Sequence, residues 1–89
     1  MGLYINGAVS VTSAATFVCT VGAESDGVLV ANIGSTAVVL GGSGVTATTG
    51  IPLAASASVL VPSVGGVTHD LYAITASSTS TVTFLFPSA

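Results

Sequence analysis

Apolar and polar residues alternate along most of the chain with a period of two, in short runs cut by Gly, Ser, Asn and Pro. Alternation of this kind puts every second side chain on the same face of an extended strand. It predicts strands over residues 3–6, 8–12, 16–21, 28–32, 37–41, 58–61, 71–76 and 81–86. Residues 51–53 form a further extended piece, because Pro52 holds its predecessor in β space. Asn6-Gly7 is a hairpin turn signal that folds residues 8–12 back onto residues 3–6. Glu24-Ser25-Asp26-Gly27 and Gly65-Gly66 read as turns, and residues 33–36 join two strands. Gly41-Gly42-Ser43-Gly44 has too many glycines for a regular strand and reads as a bulged loop making a tight crossover. Helix is rejected: Ala54-Ala55-Ser56-Ala57 allows at most one turn, and elsewhere Val and Thr favour strands.

The expected core is Val28, Val30, Val38, Leu40, Leu60, Leu71, Ala73, Val82, Phe84 and Phe86, joined by one side of residues 16–21. On that strand Phe17, Cys19 and Val21 share one face and Val18 and Thr20 the other; the inward face is either Val18 or Phe17 with Cys19. Several strands are apolar on both faces, which implies cover on both faces. The fold class is therefore all-β: a single small antiparallel β-sandwich or barrel-like domain with no substantial helix. Residues 1–27 supply N-terminal strands or an arm and residues 28–89 a β-module, together one compact domain. At 89 residues there is room for one core only.

Charge changes this picture most. Only 3% of residues are charged; Lys and Arg are absent, and the acids are Glu24, Asp26 and Asp70. Soluble monomers carry roughly 25–35% charged residues on their surface, so a chain solubilised by 12 Ser and 12 Thr is expected to have much of its surface covered by other subunits. Without basic side chains, nucleic acid and anionic membranes are excluded as direct partners. Mean hydropathy is +1.00, yet no run approaches the ~18–20 apolar residues of a spanning helix. Five aromatics cannot supply the two girdles of a membrane barrel. The N-terminal stretch has no basic flank of a secretory signal, and the lone Cys19 suits synthesis in a reducing compartment.

Candidate chemistry is sparse. His69 and Asp70 are the one pair resembling a general base and its orienter, but neighbours on a strand point to opposite faces. They are expected to be a loop histidine and a carboxylate capping backbone N–H groups. Cys19 with His69 is a weaker nucleophile pair, since Cys19 sits mid-strand as a small buried hydrophobe. Glu24 and Asp26 offer two oxygens to a Ca²⁺ ion that wants ~6–8, with no third acid nearby in sequence. Gly41–Gly44 lacks the Lys and helix of a phosphate loop. Thr79-Ser80-Thr81-Val82-Thr83 lacks the repeated array an ice-binding face requires. No catalytic, cofactor-binding or metal residues are assigned, and no enzyme activity is expected.

Residues 30–53, VANIGSTAVVLGGSGVTATTGIPL, carry a pattern in which a strand ends in N-x-G-S, the next ends in L-G-G, and V-T-A-T-T-G-x-P-L follows. Leu71-Tyr72-Ala73-Ile74-Thr75-Ala76-Ser77 and a closing T-x-T-V-x-x-L element continue it. This pattern, over roughly residues 28–86, resembles a module of tailed-bacteriophage virion structural proteins. The resemblance implies a small β-sandwich on the virion exterior: a capsid decoration (cement) protein binding the major capsid protein and itself, as a homotrimer. With about 27 residues before the module and an end just after it, no fibre or receptor-binding domain is expected. A tail or minor-head subunit is the alternative. A carbohydrate-binding or adhesive module is less favoured, because Trp is absent and Tyr4 and Tyr72 are the only tyrosines. Relatives often carry charged residues in their turns; this chain has almost none, so attachment is expected through apolar and backbone contacts, indifferent to salt.

Overall fold

The structure, a computed structural model, describes residues 4–21, 27–62 and 68–87. Among the described residues it contains eight strands and no helix: β1 (Tyr4–Val11), β2 (Thr16–Val21), β3 (Val28–Asn32), β4 (Val38–Gly41), β5 (Ile51–Leu53), β6 (Ser58–Val61), β7 (His69–Ile74) and β8 (Ser80–Pro87). They form two four-stranded antiparallel sheets, ordered β1-β8-β3-β6 and β2-β7-β4-β5, which face one another as a small β-sandwich. Inward residues of the central strands make the core: Val28, Val30 and Val82 from the first sheet, Val38, Leu40, Leu71 and Ala73 from the second. Val11, Val18, Cys19, Val21 and Leu53 complete it, with Phe84 and Phe86 packed against it.

Three sequence expectations fail for identifiable reasons. Asn6-Gly7 is not a turn; β1 runs straight through it and pairs with β8 along its whole length. Gly7 faces Phe84, and a Cβ there would lie 2.6 Å from the ring, so this glycine makes room for an aromatic side chain rather than supplying a left-handed turn conformation. On β2, a bulge between Phe17 and Cys19 switches the face. Val18 and Cys19 are both buried while Phe17 points out and packs edge-to-face on Tyr72, centroids 5.6 Å apart. Leu60 is not core: β6 lies at the edge of its sheet, and Leu60 is on its outer side, 60% exposed.

Lesser differences follow. Gly41–Gly44 is no crossover but the start of the β4–β5 hairpin loop, since β4 and β5 pair directly. Residues 54–57 form a turn, closed by Ala57 N–H donating to Ala54 O (3.1 Å), with Ser56 at φ 65°. The expected turn at Gly65-Gly66 lies outside the described residues.

One buried amide ties the two sheets. The Asn32 side chain donates from Nδ2 to Thr36 O (2.8 Å) and to Leu53 O (3.1 Å) on the opposite sheet. Its Oδ1 accepts from Gly34 N (3.1 Å) and Ser80 Oγ (2.7 Å). Both donors and two acceptor sites are thus used, the condition for leaving an amide in an apolar core. Hydroxyls do the remaining turn work. Thr12 Oγ1 accepts from Ala14 N, Thr16 Oγ1 donates to Ala14 O, and Thr75 Oγ1 donates to Ser78 O.

Candidate interaction surface

The groups that carried candidate chemistry do not converge. His69 is the first residue of β7 rather than a loop residue, and it and Asp70 are both exposed. Asp70 Oδ1 accepts from the Thr20 hydroxyl (2.9 Å) across the β2–β7 ladder, in place of the expected backbone cap. Cys19 is paired with Leu71, whereas His69 is paired with Val21. Burial raises the Cys19 thiol to about 11, so at neutral pH it is protonated and a poor nucleophile. Thr81 and Thr83 face outward on β8, whereas Ser80 and Val82 are buried. No three His, Cys, Asp or Glu side chains cluster among the described residues. Glu24 and Asp26, weighed above as calcium ligands and not assigned as such, lie outside the described residues.

What the fold does assemble is a face. On the outer side of the first sheet the strand registers line up Leu60, Leu29, Leu85 and Asn6 in one row across all four strands. The next row is Ser58, Ala31, Thr83 and Ala8. Ile33, whose N–H extends the ladder by donating to Thr81 O, follows beside Thr81 and Ser10. Leu29 is 44%, Leu85 39% and Ile33 62% exposed. An antiparallel sheet with one solvated face normally alternates apolar inward and polar outward; here the outward row of leucines breaks that rule. Between Leu29, Leu85 and Asn6 the small residues Gly7, Ala8, Ala31 and Thr83 leave a shallow depression of ≈ 460 Å³. Among the described residues, no charged side chain stands on this face. The sequence expectation put Leu60 in the core, because alternation does not say which face points inward on a strand that is apolar on both.

The outer face of the second sheet is different. Residues 42–50 fold back over β4 and bury Val45, which packs where a Cβ on Gly41 (2.8 Å) or Gly50 (2.9 Å) would stand. The loop is braced by Val45 N–H to Gly42 O (3.0 Å) and by Thr46 and Thr49, whose hydroxyls lie 2.7 Å apart. The N-x-G-S and L-G-G…T-G-x-P-L patterns therefore have local structural jobs. Asn32 wires the sheets, Gly34 leaves space for Ser80, and Gly41 and Gly50 seat Val45. On the open side of the sandwich, Ile51 of β5 and Val59–Pro62 border a second cleft of ≈ 190 Å³, floored by Leu40 and Leu71.

No protein-family model matches the chain, and comparison with curated proteins and with solved structures returns no significant match.

Proposed function

We propose that this chain is a non-enzymatic structural subunit that coats a larger protein assembly, docking through the uncharged outer face of its first sheet. The single observation behind the proposal is the exposed Leu60–Leu29–Leu85 row with Ile33, on a face with no charged side chain among the described residues. Four strands about 4.8 Å apart give this face a footprint of about 400 Å². At about 25 cal/mol per Å² of apolar surface, covering it contributes at most about 10 kcal/mol before association costs, since Asn6, Ser10, Ser58, Thr81 and Thr83 share the face. Those costs run from about 4 to 15 kcal/mol, so one such contact is marginal alone and becomes firm in a lattice of repeated contacts. Three carboxylates could add only about 0–1 kcal/mol each as exposed pairs.

The assembly we propose is the exterior of a tailed-phage capsid, with the major capsid protein and further copies of this chain as partners and the host cytoplasm as the place of synthesis. The support is the pattern over residues 28–86 described above, whose Asn and Gly positions fall at structurally demanding sites. A tail or minor-head position is the second reading. Copy number in purified particles separates them: decoration requires a number approaching that of the shell protein, a tail part only a small fraction of it. Absence from particles would overturn both.

A further inference from the structure

Four strands edge the sandwich, and three of them are protected. β2 carries a bulge. β5 has three residues with Pro52 in the middle. β6 has four residues and runs straight into Pro62. Bulges, prolines and short length are the devices by which sheet proteins block edge-to-edge pairing. β1 has none of them. It is eight residues long, unbulged against β8, without proline and without charge. Among the described residues its free edge has no backbone partner.

We propose that β1 is a self-pairing edge, through which two copies of this chain, in place of the homotrimer the resemblance implies, join antiparallel about a two-fold axis into one continuous eight-stranded sheet. A second copy fits for three reasons. Inward and outward residues stay in register when paired positions sum to an even number. Centred on Ala8, Ile5 meets Val11, Gly7 meets Val9, and Asn6 meets Ser10 of the other copy, with no charge opposed to a like charge. Pairing β1 with another copy's β6 or β5 would build an open filament, but those edges are too short or proline-blocked, so the isologous contact closes at two. The join also merges the two outer faces, since Asn6, Ala8 and Ser10 are the β1 ends of their rows. It rests on β1 alone and holds whether or not the assembly is a phage capsid.

The test is the solution mass of the full chain by sedimentation equilibrium across a concentration series. The expected species is twice the 8.5 kDa protomer, in exchange with monomer. Ala8→Lys sets two like charges at the axis and is expected to weaken the dimer by up to about fivefold while leaving the far-ultraviolet spectrum unchanged. Ala8→Cys is expected to form a symmetric disulfide under mild oxidation that the exposed-turn control Ser13→Cys does not. A chain still monomeric near 1 mM, a trimeric mass, or a dimer indifferent to Ala8→Lys would each overturn the proposal.

Discussion

Replacing Asn32 by leucine keeps a side chain of similar size in the core and removes four hydrogen bonds at once. Two of them are fully buried, to Leu53 O and from Ser80 Oγ; the other two, to Thr36 O and from Gly34 N, are partly buried. Orphaning a buried group costs about 1–3 kcal/mol, and losing a bond whose partner can reach water costs about 0.5–1.5. Leucine's own burial, about 1.5–3 kcal/mol, offsets part of the sum, leaving a loss of about 1.5–6 kcal/mol. A domain of this length has roughly 4–13 kcal/mol in total at about 0.05–0.15 per residue. Asn32→Leu is therefore expected to bring the protein close to unfolding, although mean hydropathy rises. Urea unfolding followed by far-ultraviolet circular dichroism measures this. Ser80→Ala alone should lose about 1 kcal/mol and cost much less in the Asn32→Leu background, because the pair shares one network. A loss below about 1 kcal/mol for Asn32→Leu would refute the view that this amide holds the sheets together.

Four further outcomes follow. Ser56→Gly should stabilise the protein by about 0.5–1 kcal/mol, read as a rise in Tm, because Ser56 sits at φ 65° where glycine carries no steric penalty. Gly7→Val should destabilise by about 1–3 kcal/mol, since its branches meet the Phe84 ring. Cys19 should resist thiol reagents in the native state and react in denaturant; because the folded thiol is raised from 9.0 to about 11, stability present below pH 9 should fall as pH rises from 9 to 11, and Cys19→Ala should lack that fall. Retention on the assembled particle should be nearly constant from low to about molar salt, and release by NaCl alone would indicate an ionic anchor at Glu24, Asp26 or Asp70.

The central strands were legible in the sequence. Val28 and Val30, Val38 and Leu40, Leu71 and Ala73 alternate cleanly and are buried, because β3, β4 and β7 each have a neighbour on both sides and one face on the core. Edges were not legible. The Asn6-Gly7 signal is local, while the reason β1 passes through it is a phenylalanine 77 positions further along, in β8. The bulge that buries both Val18 and Cys19 likewise depends on what β7 offers opposite. Uncharged composition raised the expectation of a covered surface; only strand registers from three separate stretches of chain could show that Leu60, Leu29 and Leu85 fall in one row. The Asn and Gly positions of the central pattern stood out in the sequence, but their wiring to Leu53 and Ser80 required the fold.

The central claim is that the chain is held on its assembly by the outer face of the first sheet. It is tested most directly by how much of a Leu29→Lys/Leu85→Lys variant, both changes at outward positions, is recovered on purified particles. The account predicts that the wild-type chain is abundant on particles. It predicts that the variant, with the same far-ultraviolet spectrum and a melting temperature within a few degrees, is almost lost from them, because each lysine puts a charge into an apolar contact. Recovery of the variant at the wild-type level would contradict the claim and move the contact to another face.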